Sequence, residues 1–465
     1  IDARWPGPRR HEEFDGDTRL SFFGTDSTHV VLRAKELRVH RPHGHILRSG
    51  RHLVPDESAL TSTVWMGGVF HSMLTQGHVS INRLLSTTHG WLGQERLHGL
   101  RVFVDAGRGW QQLGTPSAFE IAPERCRWLY RHDGGLLEVT SEALHEPQAM
   151  TLQLRVLDGP ALRLRLTLHL SLGGDDGAMP LPAPMRREPD GSVFVAVPPG
   201  SELAARFPDG GLRIEPAPGS RFEQVRDDGA LYDDGRTRGQ PFVCIDSGAV
   251  EKFGLRLQGR LVDVSSPPAV DAPLPAWSLP THGADAADTA TVQRLADILP
   301  WYRHNALVHY LSPRGLEQYS GGGWGTRDVC QGPLEMLLAL GQTAPVRDLL
   351  LRVFRAQNPD GDWPQWFMFF ERERDIRAGD SHGDVVFWPL LGLAQYLIAS
   401  GDAGLLDEVL PFHGGEAATL AAHVERSLKL IRQRVVPGTG LAAYWHGDWN
   451  DSLQPADPAL RERLC

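Results

Sequence analysis

From Phe14 to about Val264, apolar and polar residues alternate in short runs broken by turn residues. This is the period-2 pattern of antiparallel strands with one face buried. The clearest stretch is Leu152-Gln153-Leu154-Arg155-Val156, then Asp158-Gly159-Pro160, then Leu162 through Leu170, with every second residue apolar. The leucines share one face and the arginines the other, and the Asp-Gly pair predicts a hairpin between the two strands. So long a run of strands predicts a large two-layer sandwich. Between Asp263 and Gly283 prolines accumulate, which marks a linker. Beyond it the period lengthens. Asp285 to Asn305 places Val292, Leu295, Ala296 and Leu299 on one helical face, and Pro300 predicts a kink or break before Trp301-Tyr302. Further helices are expected near Pro333, Thr343, Val385, Leu405 and Glu416. The last has Leu420, Val424, Leu428, Ile431 and Val435 three or four apart and Pro437-Gly438 as its stop.

The pattern therefore predicts a multidomain β + α chain. An N-terminal β-sandwich covers 1–264, a proline-rich and helical linker 265–310, and a helical region 311–465. A chain of 465 residues exceeds what one core accommodates. A net charge of −10 with no basic block argues against a nucleic-acid partner, and no apolar run predicts a membrane span. The four cysteines have no paired spacing, so neither a disulfide framework nor a metal centre is expected, and a reducing cytoplasm fits best. The start at Ile1, neither an initiator methionine nor a signal peptide, suggests a piece of something longer.

Candidate chemistry lies in the loops of the helical region. His446-Gly447-Asp448-Trp449-Asn450-Asp451-Ser452 supplies an acid, a flat apolar face and polar groups, the side chains that glycosidic bond cleavage needs. Asp451 is the general-acid candidate, with Trp449 as the apolar neighbour that would keep it protonated; Asp448 would bind hydroxyls or cap a helix. The plainer reading makes both aspartates turn and capping residues. In Arg314 to Gly332, the run Gly321-Gly322-Gly323 lets backbone approach something closely, and no Gly-Lys-Ser/Thr follows to make a phosphate loop. Arg314 and Arg327 flank it and suit an oxyanion or sugar hydroxyls, or else ordinary salt bridges. A third loop runs from Gly361 to Trp388, where Trp366 and Asp384 are candidates for substrate and Phe367, Phe369 and Phe370 for core. Trp65 to Phe70 with Asn82 to Leu85 reads as core or as an interface with the second domain. His71 and His78 read as surface or packed histidines, not metal ligands.

Four segments recur in a known order: Gln318-Tyr319-Ser320-Gly321-Gly322 with Trp324-Gly325-Thr326-Arg327-Asp328 and Gln331; Gly361-Asp362 with Gln365-Trp366; Gly383-Asp384 with Trp388-Pro389; and Gly447-Asp448-Trp449-Asn450-Asp451. In these the chain resembles the inverting disaccharide phosphorylases of glycoside hydrolase family ninety-four, which include the phosphorylase-like part of cyclic β-1,2-glucan synthases. The resemblance implies a β-sandwich, a helical linker and an (α/α)6 barrel, of which the chain holds only the first part and so is expected to lack turnover by itself. It implies Asp451 as the general acid and inorganic phosphate as co-substrate, with no other cofactor. Phosphate would attack the anomeric carbon of a β-linked gluco-oligosaccharide or disaccharide with inversion. Arg314, Arg327, Asp328, Gln331, Trp366, Asp384, Asp448 and Trp449 would bind substrate, and a homodimer is implied. Members commonly carry Gln-Asp where this chain has Gln331-Gly332, and Asn-Asp-Gly where it has Asn450-Asp451-Ser452. An inverting hydrolase, with Asp384 activating water, and a non-catalytic sugar-binding protein are the alternatives.

Overall fold

A computed structural model of the chain describes residues 4–87, 89–91, 94–96, 98–132, 134–173, 184–262, 279, 285–314, 322–379, 381–443, 445–446, 457–461 and 463. The alternation between 148 and 170 is seen as burial: Leu152, Leu154, Leu164, Leu166 and Leu168 are inside, while Gln153, Arg155 and Arg163 face water. The expected hairpin is absent. Strand Gln148–Asp158 pairs with Gly135–His145 and Lys252–Gly259 in an eleven-stranded antiparallel sheet. Strand Leu162–His169 pairs with Leu100–Asp105 and Phe242–Val250 in an eight-stranded one. The Asp-Gly-Pro turn thus carries the chain from one layer to the other. Alternation reports which face is buried, and the inner faces of both sheets feed one core, so the pattern could not tell a hairpin partner from a facing layer.

That core is tied together by aromatic contacts and buried hydrogen bonds. Trp128 packs edge-on to Phe70 at 5.0 Å and donates its indole N–H to the Trp65 carbonyl at 3.1 Å. His71 is buried between Ser62 and the Thr151 carbonyl, each 3.0 Å away, and burial pushes its imidazole down to about 4. It is a packed histidine that joins the two layers.

Two short helices, α1 (Arg33–Glu36) and α2 (Glu202–Arg206), interrupt the strands; α3 (Ala286–Leu311), α4 (Thr326–Cys330), α5 (Gly332–Ala339), α6 (Thr343–Arg355), α7 (Phe387–Ser400) and α8 (Leu420–Gln433) follow. α3 opens on Asp285, whose side chain accepts from the Ala287 and Asp288 amides, and runs unbroken through Pro300. Proline removes one helical hydrogen bond, but Val308, Tyr310 and Leu311 are buried in the last turns and hold the helix together. Of the face expected to be buried, Val292, Ala296 and Leu299 are half-buried while Leu295 is 49% exposed, and the fully buried residue beside them is Asp297, 2.9 Å from Arg10 and 2.8 Å from His11. The helix expected near Leu405 is a 3-10 turn, Ala403–Asp407, followed by the strand pair Val409–Pro411 and Ala417–Thr419. Leu410 and Phe412 are buried on alternate positions, a strand pattern that the helical neighbourhood concealed. α8 therefore starts at Leu420, capped by the Thr419 hydroxyl, and Val435 lies beyond it.

The sandwich and the helical region meet through polar contacts. Trp301 donates to the Ser27 carbonyl at 3.2 Å, His304 to the Ile46 carbonyl at 2.7 Å, and Arg48 to the Ser312 hydroxyl at 3.2 Å. Glu373 is buried at this seam. Burial, with Glu57 adding to it, pushes its carboxyl up from 4.5 to about 7, against the smaller pull of Asn82, Arg206 and Arg372. Between those values the folded chain keeps a proton that the unfolded chain has released, so this group's contribution to stability falls as pH rises through the window. Glu373→Gln is expected to abolish that fall, with calorimetry showing a higher Tm than the parent at pH 8 and convergence near pH 5. An equal displacement at both pH values would sink the assignment.

Candidate functional site

Trp324-Gly325 pairs antiparallel with Trp366-Phe367, a short ribbon that presents residues on either side of it. Its base is rigid. Trp324 is buried, stacks on Phe369 at 4.5 Å and donates to the Tyr310 carbonyl at 2.8 Å. The glycines before it do let backbone approach closely. Gly322 has φ +98°, and a β-carbon there would lie 2.9 Å from the Ser80 amide nitrogen. A β-carbon at Gly323 would lie 3.1 Å from the Trp366 ring. Trp366 therefore lies over bare backbone and is 39% exposed, offering a flat apolar face to solvent.

α4 follows the ribbon directly, with the Thr326 hydroxyl donating to the Pro364 carbonyl at 2.6 Å. One residue on, Arg327 reaches across to Asp384 at 2.8 Å, and the Trp388 indole donates to the same carboxylate oxygen at 3.0 Å. The other oxygen, Oδ1, is buried and has no partner. A carboxylate held on one side by a guanidinium and an indole is a fixed acceptor for hydroxyl groups, beside the donors that Arg327 still has to offer. Asp328 is exposed, its carboxylate folded over Gly325, where a β-carbon would come within 2.2 Å of it. Gln331 sits at the break between α4 and α5. A β-carbon at Gly332 would meet nothing within 4 Å, so packing does not demand glycine there.

Arg314 turns towards the sandwich. Its guanidinium is buried, donates to the Thr63 hydroxyl at 2.8 Å and leaves Nε and Nη1 without partners. Burial, with Arg83 adding to it, pushes the group down to about 9. Asp448, Trp449 and Asp451, together with residues 315–321, lie outside the described residues. The chain leading to them is anchored close to the Asp384 loop: Trp445 bridges His382, and the His382 amide donates to Gln365 Oε1 at 3.1 Å. Arg434 lies 4.0 Å over the Trp445 ring and 2.6 Å from Asp362. Reading the sequence missed Arg434. It stands 72 positions from its partner, in a helical tail with no local signal.

Among the described residues no cluster of His, Cys, Asp or Glu is arranged to hold a metal, and no helix is long and apolar enough to cross a membrane. A cavity of about 500 Å³ between Pro123 and α3 shares no residue with this constellation.

Residues 6–259 match the glycoside phosphorylase supersandwich domain, and residues 298–459 the catalytic domain of the glycosyl hydrolase 94 superfamily. The chain is 34% identical to the 1,2-beta-oligoglucan phosphorylase of Listeria innocua serovar 6a over 98% of its own length. It spans 42% of that relative. Among solved structures, a bacterial glucoamylase complexed with acarbose is similar at 10% identity and a TM-score of 0.48, over 86% of this chain and 60% of that one. The 4-alpha-glucanotransferase of Thermococcus litoralis has 9% identity and a TM-score of 0.27, over 47% and 39%.

The two ion pairs near the ribbon differ in burial, and that decides what each does. Arg434 and Asp362 are both 8% exposed, whereas Asp384 is 41% exposed opposite Arg327. Asp362→Ala strands a buried cation and is expected to cost about 3–5 kcal/mol. Asp384→Ala strands Arg327, 10% exposed, as well, but beside an opening to solvent, so it is expected to cost less than Asp362→Ala. Denaturant unfolding of the two variants tests this; equal losses would contradict it.

Proposed function

The chain belongs to the glycoside phosphorylases that carry a supersandwich domain, and from that premise we propose that it contributes to phosphorolysis of a β-linked gluco-oligosaccharide. The name of the Listeria relative supplies the linkage proposed, β-1,2. In this reading the sandwich covers 1–264, the linker 265–310, and the helices from 311 onward form the first part of an (α/α)6 barrel.

A phosphate oxygen attacks the anomeric carbon from the face opposite the glycosidic bond. That bond breaks as Asp451 gives its proton to the leaving oxygen, and the products are an α-sugar 1-phosphate and a glucan one unit shorter. The nucleophile arrives as an anion, so no protein base is required. Arg327 and Arg314 supply donors to sugar and phosphate oxygens, and Asp384 accepts from donor-sugar hydroxyls. Trp366 stacks a pyranose ring, while Asp328, Gln331, Asp448 and Trp449 complete the subsites.

The observation that carries the proposal is the convergence of Arg327, Asp384 and Trp388 on one carboxylate beside an exposed indole.

The test is to incubate the full-length protein with β-1,2-linked gluco-oligosaccharides with and without phosphate. Sugar 1-phosphate is expected only when phosphate is present, and free sugar released without it would defeat the proposal. Asp451→Asn is expected to slow the reaction by about 10²–10⁴-fold with substrate affinity retained.

A further inference from the structure

His78 lies just past the strand Val69–Gln76 and is completely buried, yet both of its ring nitrogens bond outside the sandwich. Nδ1 donates to the Gly322 carbonyl at 2.8 Å, and Nε2 accepts from the Phe370 amide at 3.3 Å, with the buried Glu373 carboxylate 3.8 Å from the same nitrogen. An amide N–H can only donate, so the second bond requires a neutral ring with its proton on Nδ1. Burial, with Arg206 adding to it, pushes the imidazole down to about 3 and keeps it neutral. The ring packs on Phe369 at 4.5 Å and on Phe370 at 4.7 Å.

The two backbone anchors belong to one ribbon. Trp324 pairs with Phe367 and Gly325 with Trp366, so Gly322 and Phe370 flank its open end. Arg327 and Trp366 stand at the other end, toward Asp384. The two pairs are short for a ladder, and the Thr326 amide and hydroxyl extend the tie on the Arg327 side, to the Gln365 carbonyl at 3.0 Å and the Pro364 carbonyl at 2.6 Å. At the opposite end the His78 ring bonds both chains beyond the last pair, to Gly322 and to Phe370.

We infer that His78 is a positioning residue for the proposed phosphorolysis, a clip from the sandwich that sets the ribbon's register and so the placement of Arg327 and Trp366. It touches no reacting atom. The inference rests on the reading of the reaction given above, but the clip itself has a readout that does not.

His78→Leu removes both bonds; His78→Asn keeps an amide near Nδ1 that can still donate to Gly322. In the full-length protein, His78→Leu is expected to speed amide hydrogen exchange at 322–325 and 366–370 with other regions unchanged. It is expected to lower kcat roughly 10- to 100-fold with a smaller change in KM, the size of effect that a misplaced site produces. His78→Asn should recover part of both losses, and it carries the same two readouts if the leucine variant does not fold. Unchanged exchange at both strands overturns the clip. Faster exchange with an unchanged kcat overturns the positioning role. If the parent protein forms no sugar phosphate, the reading of the reaction fails, and the exchange experiment alone decides the clip.

Discussion

No side chain fits between Gly322 and the backbone of Val79 and Ser80, and the two halves of the chain meet there main chain to main chain. A β-carbon at this position would need a positive φ and would drive into the Ser80 amide, so the contact exists only because the residue is glycine. The ribbon that follows starts from this joint. Trp324 is fixed two residues later, and Arg327 three beyond that. At Gly322 the run is thus a close-packed joint between the two parts of the chain, within a few residues of the candidate site.

The fold was readable in the sequence wherever burial depends on local period. Apolar residues at every second position, Leu152 to Val156 and Leu162 to Leu170, marked the inner faces of the strands, and Leu420, Val424 and Ile431 marked α8. The partners of those strands were not readable. A Leu-Arg alternation looks the same whether the next strand pairs beside it or packs across the core. Asp297 shows a second limit. Its burial depends on Arg10 and His11, nearly three hundred positions away, so an apolar count along α3 found the half-buried side but not the buried acid within it. Near Leu405 the helical context outweighed a local alternation that in fact builds two short strands.

The candidate site was legible as a set of loops but not as a geometry. The loops singled out Arg327 beside the glycine run and Trp366 and Asp384 in the loop beyond it; Arg327 and Asp384 meet, and Trp388, which was not singled out, joins them at the same carboxylate. Arg314, paired with Arg327 in the reading of the sequence, instead finds its partner in the sandwich at Thr63. That partner is a threonine on a strand 251 positions earlier, and a threonine in a strand carries no signal that it will receive a guanidinium. His78 was legible only as a packed histidine, because its role comes from the two loops that close around it.

The seam between the domains is built from groups that burial works against. Arg48 and Arg314 are pushed down to about 10 and about 9, and His45 and His78 to about 3, each with burial as the leading cause. The histidines escape the cost by staying neutral, whereas the arginines remain charged at pH 7. None of the hydrogen bonds they make across the seam is to a carboxylate: Arg48 binds Ser312, Arg314 binds Thr63, and His78 binds two backbone groups. A net hydrogen bond contributes about 0.5–1.5 kcal/mol, less than the several kcal/mol typical for burying an ion. Carboxylates cross elsewhere, from Asp297 to Arg10 and His11 and from Glu57 to Arg372, but these four groups add little stability, which rests on the apolar cores on either side. What they supply is direction, since hydrogen bonds hold angle and distance where an apolar face would let one layer slide over another. That suits a sandwich whose contribution to the site is to hold the ribbon and the Asp384 loop in register.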